Sequence, residues 1–252
     1  MARTKPLSVG IALLVLATAM SAPVRAAASQ RTVTVYAASS LTKAYTALGD
    51  KFMKAHPQIA IKFSFGSSAT LATQIAQGAP ADIFAAADSA SMQKVATIFP
   101  GATNYVVNQV VLALPKSSSI TKFSDLNGKV AWLQCAHTVP CGIAADSALK
   151  SEGAVTSTPV SLEATASAAT AKLLAGAVDA AILFKTDVLA NSDKLKFIPF
   201  TNPSSALSQY QIGISSAPST AKNVWAKTFY SYLSAHSAKK FLAAAGFIVT
   251  NP

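Results

Sequence analysis

Cysteine is scarce in this 252-residue chain: only Cys135 and Cys141 occur, six positions apart. A structural zinc site needs four ligands, and Cys135-x-His137-x3-Cys141 offers no fourth one nearby. In an oxidising compartment the two thiols are expected to pair as a disulfide. The loop so closed is short, which limits the entropic gain, and the bond would chiefly stiffen the turn leading into the next helix. Acidic residues are also few, 10 against 21 basic ones, for a formal net charge of +11. Yet the lysines form no run or stripe and no aromatics interleave with them, so the nucleic-acid footprint is missing. A solvated basic surface that weakly steers anions is the expectation.

Several catalytic signatures are absent. No P-loop occurs, which excludes ATP hydrolysis by this chain. G-x-S-x-G is missing too. Ser40-Leu41-Thr42-Lys43 and Ser91-Met92-Gln93-Lys94 fit the S-x-x-K pattern of secreted serine hydrolases, but the companion motifs S-D-N and K-T-G are lacking. Lys185-Thr186-Asp187 only approaches the latter. There is no short tandem repeat, and no low-complexity tract beyond an alanine bias. Past residue 28 no apolar run reaches membrane-spanning length, since Asp179, Lys185 and Asp187 interrupt the stretch from 177 to 190.

What is present begins with a secretory signature. Arg3 and Lys5 form a basic start, Val9–Met20 an apolar run, and small residues follow, with cleavage expected after Ala26 or after Ala28. Residues 1–28 are therefore read as a signal peptide and the mature chain as soluble and exported. No cysteine stands at the cleavage site, so no lipid anchor is expected. Loss of Arg3, Lys5 and Arg25 with no acid leaves a mature net charge of +8.

Beyond residue 28, strands and helices alternate. Strands are expected over 32–37, 59–65, 82–86, 105–114, 129–133, 160–162, 180–184, 195–199 and 209–214. Helices are expected over 41–56, 69–77, 89–96, 142–150, 165–175, 186–190, 220–235 and 238–245. Such alternation argues for parallel α/β sheets. Two β/α series joined by long apolar strands suggest two lobes, residues 29–110 with 213–252 and residues 111–212, crossed outward by Val106–Leu114 and back by Tyr210–Ile214.

Small residues recur where a strand gives way to a helix: Ser39-Ser40, Gly66-Ser67-Ser68 and Pro140-Cys141-Gly142. A helix start exposes backbone N–H groups without internal partners and carries partial positive charge. Small residues let a ligand approach those groups, and a serine hydroxyl adds a donor. Several starts facing one cleft would bind an anion without a charged side chain. Taken singly, Ser40 or Ser68 also fits plain helix capping. Asp82 and Asp88 flank a strand, where turn and cap chemistry is preferred to an acid pair. His56, His137 and His236 share no ligand spacing.

At this point the chain resembles the periplasmic molybdate-binding proteins of ABC importers. The resemblance rests on A-A-S-S-L-T (37–42), F-G-S-S-A-T-L-A-T-Q-I (65–75), G-A-P-A-D-I-F-A-A-A-D (78–88), N-Q-V-V-L-A-L-P (108–115), V-P-C-G (139–142) and D-A-A-I-L-F-K-T-D (179–187). It implies a two-lobed α/β architecture of the type II periplasmic binding protein kind, each lobe a mainly parallel sheet flanked by helices, with the ligand cleft between them. It implies a non-enzymatic receptor for molybdate or tungstate as transported ligand, with no cofactor. The partners would be a membrane permease and its cytosolic ATPase, and the receptor a monomer in the periplasm. Sulfate is the alternative tetrahedral guest.

Residue by residue, Ser40 and Ser68 match the family's two donor serines. Cys141 and Ala166 match positions that give backbone N–H groups. Phe184 falls where many members carry a tyrosine whose phenol touches the anion, and phenylalanine cannot donate that bond. Lys185 or Thr186 compensates, or one contact is lost, or the anion preference differs.

Overall fold

The computed structural model describes residues 1–2, 31–217, 219–220 and 223–249. The expected signal segment, bar its first two residues, lies outside them. Strands β1 (Arg31–Ala38), β2 (Ile59–Gly66) and β3 (Ile83–Ala86) alternate with helices α1 (Thr42–Ala55), α2 (Ser68–Ala76) and α3 (Ser89–Gln93). The 13-residue strand β4 (Thr103–Pro115) then leads to a second series: β5 (Trp132–Cys135), α4 (Pro140–Glu152), β6 (Ser161–Glu163), α5 (Ala166–Leu174), β7 (Ala180–Phe184), α6 (Lys185–Leu189) and β8 (Leu195–Ile198). Strand β9 (Leu207–Ile214) returns, and helices α7 (Val224–Ser234) and α8 (His236–Ala244) follow.

The strands run in the order β2-β1-β3-β9-β4-β7-β5-β6, with β8 also on β4. Pairing is parallel between β1 and its neighbours β2 and β3, and between β5 and its neighbours β6 and β7. The crossing strands pair antiparallel. The first part of β4 lies on β9, and its last six residues, Val110–Pro115, lie on β7 and β8. A shift of register between Asn104 and Val107 interrupts the β4–β9 ladder, and β4 passes from β9 to β7 between Gln109 and Val110.

Strand alternation sets the layers of the first half. Val33, Val35 and Ala37 of β1, with Ile83 and Ala85 of β3, face a core shared with α1, α7 and α8. Tyr36, Phe84 and Ala86 face the opposite way onto α2 and α3. A parallel sheet covered on both faces requires such continuous burial. The second half has its own core, spanning Val110 to Ala206 around Trp132, Leu133 and Ile182.

Most element boundaries agree with the sequence expectation to within a few residues. One strand expected over 129–133 forms instead at Trp132–Cys135. The helix expected over 220–235 is interrupted: residues 219–220 are helical, and a separate helix begins at Val224, capped by Asn223, whose side chain accepts from the Trp225 and Ala226 N–H groups at 3.2 and 3.3 Å.

Candidate functional site

The sheet register places the turn residues together. Ala38 of β1 lies opposite Gly66 of β2, so the following turns, Ser39–Leu41 and Ser67–Ser68, leave the sheet side by side. Cys135 of β5 lies opposite Glu163 of β6, which does the same for the starts of α4 and α5. Strand β7 ends at Phe184, opposite Val110. These strand ends converge on a small chamber between the two halves, lined by Ser39, Ser40, Ser67, Ser68, Cys141, Thr165, Ala166 and Phe184 among others. Its volume, about 10 Å³ measured to the centre of a water-sized sphere, is at the lower limit for a single water molecule. None of its lining residues is charged.

All five residues singled out from the sequence, Ser40, Ser68, Cys141, Ala166 and Phe184, border this chamber. Neither serine acts as a helix cap. Ser40 lies inside a 3-10 turn, and the cap position of α2 is Ser67, whose side chain makes no cap bond. The Ser68 hydroxyl instead accepts the Ala87 N–H at 2.9 Å, with Ser68 only 1% exposed. Ser208 holds the same residue through its next peptide, donating to the Ala87 carbonyl at 2.6 Å. With its acceptor side engaged, the Ser68 hydroxyl has its own proton free for the chamber. The Ser67 hydroxyl is buried without a partner.

Ser40 is backed by a phenol. Its Oγ lies 2.5 Å from Tyr210 Oη. Tyr210 is fully buried on β9, and its ring meets Phe184 edge-on at 6.1 Å and Phe247 at 5.5 Å. Burial pushes this phenol well above its ordinary pKa. Asn108 Nδ2 of β4 reaches Tyr210 Oη at 3.4 Å and Thr186 Oγ1 at 2.8 Å.

The backbone donors come from α4 and α5. Pro140 is the first residue of α4 and has no N–H, so Cys141 supplies the leading amide. The Cys135–Cys141 disulfide, with Cα atoms 5.7 Å apart, ties that start to the end of β5. The fold is so tight here that a Cβ on Gly142 would collide with the Ala136 carbonyl, which explains the glycine. Ala166 opens α5, whose cap Thr165 accepts the Ala168 N–H at 3.1 Å. The Lys172–Glu163 ion pair (2.5 Å) holds α5 against the end of β6.

Neither candidate compensator for the missing Phe184 hydroxyl lines the chamber. Lys185 lies over the Phe197 ring, 5.6 Å from its centroid, and Thr186 faces Asn108. The S-x-x-K lysine Lys43 donates to the Ala190 carbonyl across the two halves at 2.8 Å. Ser91 bonds to Asp88, the cap of α3, rather than to a base. Asp82 receives the Thr34 N–H and the Thr220 hydroxyl. A larger cleft of about 590 Å³ opens alongside over Leu174, Leu189 and Phe241, and its mostly apolar walls do not suit a small anion.

Sequence reasoning missed Ser67, Thr165, Tyr210 and Asn108. Ser67 and Thr165 stand beside residues it did single out. Tyr210 and Asn108 meet Ser40 only through the crossing strands, and no local pattern marks them.

A sequence profile of the bacterial extracellular solute-binding proteins matches residues 33–248. The chain is 30% identical over 233 residues to the molybdate-binding protein ModA of Mycobacterium tuberculosis, covering 90% of this chain and 88% of that one. Among solved structures, the periplasmic molybdate-binding protein of Azotobacter vinelandii superposes with a TM-score of 0.76 at 20% identity, over 87% of this chain and 100% of that one. The sulfate-binding protein SubI of M. tuberculosis superposes with a TM-score of 0.70 at 15% identity, over 88% of each chain. The latter two likenesses show a shared periplasmic binding protein fold.

Proposed function

The chain belongs to the bacterial extracellular solute-binding proteins, and from that premise we propose that it captures molybdate, and tungstate with it, for an ABC importer. The observation that carries this reading is the chamber itself: hydroxyl and amide donors from four separate turns converge on it, and no charged side chain does. Each charge-assisted hydrogen bond from such a donor is worth about 1.5–3 kcal/mol net. Donors fixed at helix starts lose little entropy when a guest arrives.

The proposed oxyanion contacts are the hydroxyls of Ser40 and Ser68 and the backbone N–H groups of Cys141 and Ala166, with Phe184 as an apolar wall. Ser67 adds a third hydroxyl. The two lobes, 29–110 with 213–252 and 111–212, part about β4 and β9 to admit the guest. They then settle around it slightly wider than here, because a tetraoxyanion is larger than the chamber.

The guest is cargo, not a cofactor, and the protein carries out no chemistry on it. The receptor works as a monomer in the periplasm after signal-peptide removal and delivers to a permease driven by a cytosolic ATPase. Among the described residues no helix is long and apolar enough to cross a membrane, which fits that role. A lining without a carboxylate disfavours phosphate, whose retained proton would be taken best by such a charged acceptor. Sulfate is the second reading, favoured by the narrowness of the chamber. Calorimetry with molybdate, tungstate, sulfate and phosphate tests the assignment. Tight binding of the first two is expected, and a preference for sulfate overturns it.

A further inference from the structure

We propose that Tyr210 is a positioning residue for the captured anion: a hydrogen-bond relay from Asn108 through Tyr210 to Ser40 fixes the Ser40 hydroxyl as a donor into the chamber. This rests on reading the chamber as the anion site.

The direction of the relay follows from its ends. The Gln109 backbone N–H donates to Asn108 Oδ1 at 2.9 Å. An N–H can only donate, so the Asn108 oxygen is the acceptor there and its Nδ2 must face Tyr210 and Thr186. Tyr210 Oη thus accepts a hydrogen bond from Asn108 and has its own proton to place. Ser40 Oγ, at 2.5 Å, is the acceptor within reach. Were Ser40 to donate to the phenol instead, the Tyr210 proton would be left without an acceptor in a buried site, a costly arrangement. Ser40 therefore accepts from behind, and its own proton turns to the chamber that it lines. The raised pKa of the buried phenol keeps that proton in place.

The relay has two consequences. Bonds in a chain polarise one another, so a serine that accepts from a phenol is a stronger donor to an anion. The relay also joins both halves of the molecule. Ser40 belongs to the first, Asn108 and Tyr210 to the crossing strands β4 and β9, and Thr186 to the second. The phenol missing at Phe184 is thus matched by one placed behind Ser40, its ring edge-on to Phe184. It reaches the guest through the serine rather than directly.

The test is a double-mutant cycle read by calorimetry with molybdate. Tyr210→Phe keeps the ring and removes only Oη. It is expected to weaken molybdate binding by roughly fivefold or more. Ser40→Ala is expected to weaken it as well, and Tyr210→Phe added to Ser40→Ala is expected to change nothing further. If Ser40→Ala weakens binding but Tyr210→Phe does not, the relay is wrong while the anion site stands. If the two losses add, Tyr210 acts by another route and the relay is likewise wrong. An unchanged affinity in Ser40→Ala overturns the anion site itself and the relay with it. Should Tyr210→Phe not fold, wild-type protein labelled at tyrosine 13Cζ supplies the answer. The Tyr210 resonance should move when molybdate is added, and a fixed resonance refutes the relay.

Discussion

Replacing Ser68 with alanine separates what the serine does for the fold from what it does for the guest. In the folded protein its Oγ accepts the Ala87 N–H at 2.9 Å, and Ser68 is 1% exposed. Alanine leaves that buried N–H without a partner, which costs about 1–3 kcal/mol of stability. The same change removes one donor from the anion site, a loss of about 1.5–3 kcal/mol of binding, or roughly 10- to 150-fold in Kd. A control distinguishes the two effects. Ser208→Ala takes away the hydroxyl that donates to the carbonyl of the same residue, Ala87, at 2.6 Å, and Ser208 does not line the chamber. It should lower the melting temperature yet leave the molybdate Kd within about twofold. Calorimetry gives Kd, and thermal unfolding without ligand gives the stability term. If Ser68→Ala melts early but binds molybdate as tightly as the wild type, the hydroxyl is a structural strut and its assignment as an anion donor is refuted.

Other perturbations probe the remaining walls. Phe184→Tyr adds a phenol to the chamber wall, and molybdate binding should tighten by roughly tenfold in calorimetry; a weaker Kd would mean that the hydroxyl crowds the guest. Burial pushes the Asp187 carboxyl from its ordinary 3.8 up to about 7, with its Oδ2 covered and unpartnered. The native state then holds a proton that the unfolded chain has already released, so this contribution to stability is full below pH 3.8 and is lost as pH rises through about 7. Urea unfolding at pH 5 and pH 8 should show a decline that Asp187→Asn reduces. Replacing Cys135 and Cys141 together with serine removes a short-loop constraint worth about 2 kcal/mol, to be read from the urea midpoint, and should also weaken molybdate binding by loosening the Cys141 amide.

The parts of the site written into single turns were legible in the sequence. Ser39-Ser40, Gly66-Ser67-Ser68 and Pro140-Cys141-Gly142 each announce a strand giving way to a helix through small residues, and parallel pairing then brings such turns to one end of the sheet. What could not be read is whatever depends on a partner remote in sequence. A lone serine before a helix is ambiguous between capping and ligand binding, and the answer lay in Ala87, 19 residues beyond Ser68. The phenol behind Ser40 lies 170 residues away, on a strand whose apolar pattern says only that it is buried. Phe184 shows the limit clearly: the sequence revealed a missing hydroxyl, but only the crossing of β4 and β9 placed another beside it. The helix expected over 220–235 failed for a local reason, since the Asn223 side chain caps a new helix inside that stretch.

The proposed anion site has no lysine or arginine in its lining, which raises the question of what such a residue would have added. A buried cation would bring Coulomb attraction, but it must be stripped of water whenever the halves close, and the desolvation cost can exceed the gain. It would also attract any anion of the right sign, protonated or not. Hydroxyl and amide donors carry no such desolvation debt, and their directions are set by the fold. Ser68 accepts from Ala87 behind it, and in the proposed relay Ser40 accepts from Tyr210. Each then has its proton free to face forward. An anion that must itself donate finds no carboxylate there to accept, whereas one with four bare oxygens meets donors from several turns. Discrimination then follows from the orientation of a few neutral groups, and any substitution that gives one of these serines a competing acceptor should weaken binding by more than its loss of packing explains.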